Sequence, residues 1–456
     1  MNLEVIILAA GQGTRMKSLL PKVLHSVAGT PMLEHVVKTA QALEPTAIHV
    51  VVGHGSEQVQ SALSAYSLDW VLQKEQKGTG HAVLQVLPKL DRSSVVLVMY
   101  GDVPLIELDT LKSLVTLASA SPALLTARLG NSHGYGRILR DDTGLLLGVV
   151  EEKDATDAQR GIKEINTGVL AAPAEDLLQY IPLVKNENSQ AEYYLPDILA
   201  LAVEAKKTIS SVEAGSELEI QGVNDRVQLN RVEREFQLRQ AEQLMRQGVS
   251  IADANRVDIR GALVCGEDVK LDINTLFEGS VTLGNGVIIG PNCVLKNVSV
   301  GDGATIHAMS HLEDAVVGDR CSVGPYARLR PGTQMAEDSR VGNFVETKKA
   351  KIGRGSKVNH LSYIGDCIMG SGVNIGAGTI TCNYDGVNKF TTELGDGVFV
   401  GSNSTLVAPL TVAENGFTAA GSTITKSVDK DELAVTRAKQ RNVKGWQRPQ
   451  KIENKD

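Results

Sequence analysis

The sequence predicts two domains of different class: an α/β domain with a mostly parallel, Rossmann-like sheet, joined by a long helix to a coil of short stacked parallel strands. Three observations predict this. Apolar β-branched runs alternate with helix-like stretches in the first half, and an aliphatic or small residue returns at every sixth position through much of the second half. Only 17 of the 44 glycines lie in the first 247 of the 456 residues. We expect domains over 1–224 and 248–456, joined by a helix over 225–247.

The strands expected in the first domain are the apolar runs VIILAA (5–10), AIHVVVG (47–53) and SVVLVMYGD (94–102). Buried parallel strands have this composition. Between them, PMLEHVVKTAQAL (31–43) has the pattern of a helix. Ligands of such sheets bind outside the carboxyl ends of the strands, so the residues that follow each run are the candidates for function.

The segment 225–247 lacks Gly and Pro and predicts one continuous helix. Asp225 and Gln228 have a spacing like that of a capping box, which favours a helix start at this point. Leu229, Val232 and Phe236 fall on one face of the helix. The arginines and glutamates of the segment are expected on its solvated side.

A six-residue period fits neither a lone amphipathic helix nor an alternating strand, but it fits a coil in which each hexad supplies one strand and one turn. Equivalent side chains then stack into an inward ladder. The predicted inward residues are Val317, Val323, Leu329, Met335, Val341, Thr347, Ile352, Val358, Ile364, Val400, Leu406, Val412, Thr418 and Ile424. Two places break the period: a residue is dropped between Thr347 and Ile352, and CNYDGVNKF (382–390) is a polar insertion.

Composition excludes several classes of protein. A net charge of −7 and a pI near 5.8 argue against a general nucleic-acid binder. No apolar run approaches the roughly 18 residues of a membrane span, and the start MNLEVIILAAG is typical of a first strand rather than a signal peptide. The five cysteines form no CxxC pair, which favours reduced thiols and a cytoplasmic protein. The basic segment 437–456 lacks periodicity and predicts an extended or partly disordered tail.

A glycine-rich turn follows the first strand: Gly11-Gln12-Gly13-Thr14-Arg15, with Lys22 soon after. Such a turn exposes backbone N–H groups to a phosphate. The segment is not a P-loop, and as a Rossmann fingerprint it is incomplete because Met16 holds the third glycine position. The turn alone could be a tight bend without ligand, but the cations Arg15 and Lys22 favour a polyphosphate.

Polar residues at other strand ends suggest a metal. Asp102 ends the third apolar run and Asn224 lies just before the predicted helix. Asp102 could cap a turn, or the two side chains together could hold a Mg²⁺ that also takes phosphate oxygens. The sequence leaves both alternatives open.

The second domain has one cationic stretch, TKKAKIGRGSK (347–357), followed by His360 and Tyr363. It could be a solvated turn surface, but with Arg330 it favours a sugar-phosphate site. His360 is the candidate base, because an imidazole that titrates near neutrality can accept a proton from an attacking amine.

The order of motifs in the first domain resembles that of sugar-1-phosphate nucleotidyltransferases: LAAGQGTRM, LPKVLHSVAGTPM, QKGTGHA, YGDVPLI, GYGRI, VEEKDAT, EINTG and GVNDR. With the hexapeptide coil, nearly the whole chain resembles the family of bacterial bifunctional N-acetylglucosamine-1-phosphate uridyltransferase/glucosamine-1-phosphate acetyltransferases. The resemblance implies a left-handed parallel β-helix and a homotrimer with acetyltransferase sites between neighbouring coils. It also implies Mg²⁺, the substrates UTP, glucosamine-1-phosphate and N-acetylglucosamine-1-phosphate, and acetyl-CoA as co-substrate.

The resemblance also assigns residues. For the uridyltransferase it implies contacts to nucleotide and metal by Leu8, Ala9, Ala10, Gly11, Lys22, Gln73, Gly78, Thr79, Tyr100, Gly101, Asp102 and Asn224, and to the sugar by Gly136, Glu151 and Asn166. In the second domain it implies His360 as the base, and glucosamine-1-phosphate binding by Arg330, Lys348, Tyr363 and Asn374. It implies acetyl-CoA contacts by Ala377, Asn383, Tyr384, Ser402, Ala420 and Arg437.

Two other functions remain open at this level. One is a nucleotidyltransferase of single activity whose coil serves only assembly and allosteric binding. The other is a sugar-nucleotide sensor without catalysis. His360 and the CNYDG insertion argue against the first alternative.

Overall fold

The computed structural model describes residues 2–451, and the chain divides into two compact units between Arg239 and Gln240. The helices are α1 Met32–Gln41, α2 Ser56–Ala62, α3 Thr79–Leu84, α4 Leu108–Leu117, α5 Asp157–Arg160, α6 Ala174–Tyr180, α7 Asp197–Glu204 and α8 Arg226–Arg246, with 3-10 turns at Thr14–Met16, Lys22–Leu24, Leu87–Lys89, Ile181–Leu183 and Ala254–Arg256. The division falls inside α8, so each unit contains part of that helix.

The first unit is an α/β domain around one large sheet. Its strands are β1 Leu3–Ala9, β2 Ser26–Val27, β3 Thr30–Pro31, β4 Ala47–Val52, β5 Asp69–Leu72, β6 Val95–Tyr100, β7 Ala123–Arg128, β8 Gly136–Arg140, β9 Leu146–Val150, β10 Glu164–Pro173 and β11 Ser210–Glu213. The main order is β11-β7-β10-β6-β1-β4-β5, and β10 runs antiparallel to β6 and β7. The predicted mostly parallel sheet is confirmed.

The central strand β1 pairs in parallel with both β4 and β6. All of its side chains are buried, because helices cover both faces of the sheet, and every position except that of Glu4 is apolar. Parallel register brings the carboxyl ends of β1 and β6 to one edge. The residues after Ala9 and Tyr100 consequently meet there, as the sequence predicted.

Helix α8 begins where Asp225 caps it: the Asp225 carboxylate accepts hydrogen bonds from the N–H groups of Val227 (2.9 Å) and Gln228 (2.8 Å). Gln228 does not complete a capping box; its side chain instead accepts the backbone N–H of Asn224 at 2.7 Å. Val232 is fully buried. The start of the helix therefore fixes the backbone of Asn224, a predicted metal ligand.

The second unit is a parallel β-helix. Its strands are β12 Ser250–Ile251, β13 Val257–Cys265, β14 Lys270–Leu271, β15 Thr275–Leu283, β16 Ile288–Ile289, β17 Val294–Val300, β18 Thr305–Ile306, β19 His311–Val317, β20 Ser322–Val323, β21 Arg328–Leu329, β22 Gln334–Met335, β23 Arg340–Asn343, β24 Glu346–Lys348, β25 Lys351–Ile352, β26 Lys357–His360, β27 Tyr363–Gly365, β28 Cys367–Met369, β29 Asn374–Ile375, β30 Ile380–Cys382, β31 Thr392–Leu394, β32 Phe399–Val400, β33 Thr405–Val407, β34 Leu410–Val412, β35 Phe417–Thr418, β36 Thr423–Ile424 and β37 Leu433–Ala434.

These strands form an 11-stranded sheet and a 15-stranded sheet that branches at β19, giving the coil three faces. The architecture is that of the predicted left-handed parallel β-helix. Equivalent residues stack in register across coils; one row runs through Val323, Val341, Val358, Ile375, Val400 and Thr418. Every predicted inward residue is buried, at most 3% exposed, so the ladder is confirmed.

The interruptions of the period need one correction. Neighbouring coils are commonly 17 or 18 residues apart, as between Asn343 and His360 or between Asn274 and Asn292. A dropped residue is thus a common variation that a corner turn absorbs, and it does not single out the cationic stretch. The insertion at 382–390 is different, because across it the offset between coils rises to 25 residues. From residue 435 to 451 the chain has no helix or strand, and residues 452–456 of the predicted tail lie outside the described residues.

Replacing Gly342 by alanine should disrupt the coil. A Cβ at this position would lie 2.0 Å from the carbonyl oxygen of Asn359 in the next coil, and neither backbone can yield. We expect a loss of about 3 kcal/mol in the free energy of unfolding, measured by denaturant unfolding of the full chain. Gly355→Ala is the control: it has open space but a φ of +67°, which costs about 1 kcal/mol. Equal losses would contradict the expectation.

Candidate active sites

A cavity of about 370 Å³ lies at the carboxyl ends of β1 and β6 in the first unit. Most of the nucleotide-site residues expected from sequence are on its wall: Leu8, Ala9, Ala10, Gly11, Lys22, Gln73, Gly78, Thr79, Tyr100, Asp102 and Asn224. Gly101 lies directly behind the wall, where its N–H donates to Leu8 O at 2.9 Å and where an added Cβ would approach Leu33 to 3.0 Å. The cavity therefore unites segments that are far apart in sequence.

Two oxygens at one end of this cavity point to a single cation position. Lys22 Nζ lies 2.5 Å from Asp102 Oδ2 and 3.2 Å from Asn224 Oδ1, and Arg15 Nη2 donates to the same Asn224 oxygen at 2.9 Å. A carboxylate and an amide oxygen that share one ammonium group have the chemistry and convergence of a Mg²⁺ ligand pair. The residues present thus fit a hard divalent cation.

The opposite end of the cavity is built on the turn before α3. Gln73 is buried, and its side-chain nitrogen lies 3.2 Å from Gly78 O and 3.0 Å from His81 Nδ1. Gly78 has φ +106° and an added Cβ would meet Tyr193 O at 2.5 Å, so glycine is required here. These contacts fix the side chain of Gln73 in the wall of the cavity.

Sequence reasoning missed four residues of this wall, the apolar Val23 and Ala82 and the polar Gln76 and Glu192. The Gln76 amide donates to Ala10 O at 2.9 Å and so ties the glycine-rich turn to the segment after β5. Gln76 lies between two positions that the resemblance did assign, which is a signal that was available. Glu192 lies in a loop without a sequence motif, so the sequence gives no signal for its place in the cavity.

The three residues assigned to the sugar are not on the wall of this cavity. Gly136 and Asn166 lie on the strands β8 and β10, and Glu151 directly follows β9. Asn166 on β10 pairs with Gly136 on β8, and an added Cβ at Gly136 would lie 2.9 Å from Glu151 Oε1. Burial, together with the charges of Asp197 and Asp154, raises the pKa of Glu151. The charges of Glu151 and Asp102 both act on Tyr100, whose pKa is raised chiefly by burial, so Tyr100 lies near both carboxylates.

Burial and the charge of Asp154 raise the pKa of Asp197, in the first turn of α7, to about 6. Because the carboxylate is disfavoured only in the folded protein, this group lowers stability above pH 6, and its cost fades as the pH falls toward 3.8. Asp197→Asn should therefore raise the melting temperature by about 3 °C at pH 7.5 and leave it unchanged below pH 4. Asp109→Asn, exposed in the first turn of α4, is the control. A gain that is the same at both pH values would contradict the expectation.

In the second unit, residues assigned to the acetyl site form a row. Val358 belongs to the inward ladder, and His360 lies two residues after it. Ala377, Ser402 and Ala420 lie two residues after the equivalent inward residues of the following coils. Their carbonyl oxygens accept in turn the N–H groups of Gly378, Asn403 and Gly421, and Ala420 O accepts Arg437 Nη1 at 2.9 Å. One corner of the coil thus runs from a histidine to an arginine.

A cationic cluster lies on a second row. Arg330 Nη1 donates to Glu346 at 2.7 Å. Lys389 and then Arg330 lower the pKa of the half-buried Lys348, which indicates that the three cations are close together. Lys389 belongs to the inserted loop and was not assigned from sequence. A cluster of three cations beside one carboxylate, that of Glu346, has the charge to bind a phosphate.

The other assigned residues lie around this cluster. Asn383 donates to Asp366 and interacts with the hydroxyl of Tyr363. Tyr384 forms a bridge with Lys389 inside the inserted loop. Asn374 lies on the outward side of β29, paired with Lys357 and Phe399, three residues before Ala377. The loop therefore connects the cationic cluster to the coils that contain the row.

Two features are absent from the part of the chain that the structure describes. Within residues 2–451, no helix combines the length and the apolar character needed to cross a bilayer. Over the same residues, no three His, Cys, Asp or Glu side chains converge as a metal-binding group. The Asp102–Asn224 pair is outside that test because one of its members is an amide.

Comparisons with known proteins find one family model in each of the two units. Residues 5–151 match the MobA-like NTP transferase domain and residues 259–352 match the GMPPB C-terminal domain. The chain is 56% identical over 450 residues to the bifunctional protein GlmU of Marinobacter nauticus, covering 98% of this chain and 99% of that protein. It is 53% identical to the proteins of the same name from Pseudomonas putida and Idiomarina loihiensis, covering 99% of this chain and 99% of each relative.

Proposed function

We propose how this chain, which belongs to the family of bifunctional GlmU proteins, performs two transferase reactions with the residues described above. The second unit acetylates glucosamine-1-phosphate with acetyl-CoA. The first unit transfers UMP from UTP to the resulting N-acetylglucosamine-1-phosphate and releases pyrophosphate. The product, UDP-N-acetylglucosamine, supplies precursors of peptidoglycan and lipopolysaccharide. The observation that supports both reactions most strongly is the full-length similarity to relatives named bifunctional.

The uridyltransferase reaction needs positioning and charge neutralisation rather than a base. The attacking group is a phosphate that is already anionic at neutral pH. The difficulty is to align two anions and to neutralise the charge that develops as pyrophosphate leaves. Arg15 and Lys22, whose cationic groups meet at Asn224, supply that neutralisation. Gln73 and Thr79 orient the uracil, and Gly136, Glu151 and Asn166 hold the sugar.

We propose that Asp102 and Asn224 are the protein ligands of a Mg²⁺ ion. When bound, the ion supplies Lewis-acid neutralisation of phosphate charge. Asp102 would contribute a carboxylate oxygen and Asn224 an amide oxygen. Gln228 holds Asn224 in place by accepting its backbone N–H. Lys22, whose ammonium group contacts both of these oxygens, would bind the nucleotide phosphates when Asp102 and Asn224 hold the ion.

The acetyl transfer needs a base and a thioester held beside it. His360 accepts the proton of the attacking amine, and backbone N–H groups at the corner are available for the oxyanion. Arg330, Lys348 and Tyr363 bind the sugar phosphate, with Lys389 as a further cation. Ala377, Ser402 and Ala420 lie along the acetyl-CoA, Asn383 and Tyr384 contact it from the loop, and Arg437 meets one of its phosphates.

A single coil corner is shallow, whereas a molecule of the size of CoA requires several walls. We therefore propose a homotrimer in which neighbouring coils complete each acetyltransferase site, which agrees with the preference of oligomers for closed symmetry. We also propose that the protein acts in the cytoplasm, where UTP and acetyl-CoA are available.

The test is product analysis of the full-length protein. Incubated with glucosamine-1-phosphate, acetyl-CoA, UTP and Mg²⁺, it should form UDP-N-acetylglucosamine, detected by mass spectrometry. Omission of acetyl-CoA should stop the reaction, and N-acetylglucosamine-1-phosphate should restore it. Pyrophosphate release without acetyl transfer would instead support the single-activity alternative, and absence of both would support a sensor.

A further inference from the structure

The row of corner residues in the β-helix extends one coil beyond the proposed base. Asn343, at the end of β23, holds the position equivalent to His360, and the register pairs the two residues directly. Asn343 Oδ1 lies 2.9 Å from His360 Nδ1. No motif or resemblance assigned Asn343, because a lone asparagine in a turn-rich coil has no distinguishing spacing.

We propose that Asn343 is the positioning residue of the acetyltransferase: it fixes the tautomer and the orientation of the His360 imidazole. An amide oxygen can only accept a hydrogen bond, so Nδ1 must be the protonated nitrogen of the ring. The neutral ring then has its lone pair on Nε2, the nitrogen that faces away from Asn343. A base with its lone pair held in one place can take a proton from an amine at each encounter.

The surrounding backbone supports a fixed geometry. Asn343 O accepts the N–H of Leu361 at 3.1 Å, and His360 O accepts the Ser362 hydroxyl at 2.8 Å. Gly342 brings the two coils together, since its missing Cβ would otherwise strike Asn359. The strand segments that present the two side chains are therefore held on both sides, and the hydrogen bond between the side chains joins two rigid elements.

The position of Asn343 in the row separates it from cofactor binding. The proposed acetyl-CoA contacts run from Arg437 through Ala420, Ser402 and Ala377 to His360, and Asn343 lies past the base at the far end. Its removal should lower the rate of acetyl transfer and leave the binding of acetyl-CoA intact. This inference rests on the proposed role of His360.

The test is kinetic and uses the full-length protein. Asn343→Ala should lower kcat for acetyl transfer about tenfold or more because the tautomer is no longer fixed. KM for acetyl-CoA and for glucosamine-1-phosphate should stay within twofold, and uridyl transfer should be unchanged. Ser322→Ala is the matched control: it removes the partner 3.0 Å from His307 elsewhere in the same β-helix and should leave acetyl transfer at the wild-type rate.

A second variant remains informative if Asn343→Ala fails to fold. Asn343→Asp keeps the shape and places a carboxylate at Nδ1, which favours the protonated imidazole. The acid limb of the pH–rate profile for acetyl transfer should then move to higher pH by about one unit. A hydrogen bond with only a structural role would change the melting temperature and leave the profile in place.

The outcomes separate this inference from the proposed function. Acetyl transfer that survives in His360→Ala would overturn both. Loss of acetyl transfer in His360→Ala, with wild-type kcat in Asn343→Ala or an unshifted profile in Asn343→Asp, would overturn only the role of Asn343. A change confined to KM would also overturn it. If the role is correct, adding Asn343→Ala to His360→Ala causes no further loss.

Discussion

Asp102→Asn should lower uridyl transfer about 10³-fold, because loss of a metal ligand removes several kcal/mol of charge stabilisation. The substitution preserves the size of the side chain, so the fold should be unaffected. It replaces the carboxylate that lies 2.5 Å from Lys22 with a neutral amide. Acetyl transfer should continue at the wild-type rate, since the second unit does not contain Asp102. Separate assays with N-acetylglucosamine-1-phosphate and with glucosamine-1-phosphate would measure the two activities.

A binding measurement separates a metal role from a merely structural one. With UTP present, Mn²⁺ binding followed by electron paramagnetic resonance should weaken in Asp102→Asn and stay unchanged in Asp142→Asn, an exposed aspartate in the β8–β9 turn. Normal Mn²⁺ binding together with full uridyl transfer would remove Asp102 from the metal site. Normal binding with lost activity would place its role in positioning Lys22.

The elements that the sequence predicts well are those with a repeated physical requirement. Each inward position of the coil must fill the same small space, so the six-residue period appears directly in the sequence. The buried strands β1, β4 and β6 are likewise marked by strongly apolar runs, because helices cover both faces of their sheet. The same reasoning placed the glycine-rich turn and Asp102 at one edge.

What the sequence does not predict depends on contacts between distant segments. Glu192 reaches the nucleotide cavity from a loop, and Lys389 approaches Lys348 only because an insertion folds back on the coil. Asn343 meets His360 only because of the register between neighbouring coils. The six-residue period does not fix that register, because the coil length varies between 17 and 18 residues at these places. For the same reason, the dropped residue after Thr347 does not mark a functional site, because other coils are also one residue shorter.

His360→Ala should abolish acetyl transfer while uridyl transfer continues. General-base catalysis contributes about 10²- to 10⁴-fold, so we expect a loss of about 10³-fold in kcat with glucosamine-1-phosphate as acceptor. The side chain is exposed at the corner of the coil, so its removal should not unfold the unit. Assay of CoA release at saturating acetyl-CoA would measure the effect.

The matched control for this substitution is His307→Ala. His307 is also exposed in the β-helix and has a hydrogen-bond partner in the next coil, Ser322, but it is absent from the row that leads to Arg437. Acetyl transfer should survive its loss. Equal losses from both substitutions would show that the coil tolerates neither change and would leave His360 with a structural role. Loss of uridyl transfer in His360→Ala would lead to the same conclusion, because the reacting groups of that step belong to the first unit. Only a selective loss, confined to His360 and to acetyl transfer, is consistent with an imidazole that takes the proton of the attacking amine.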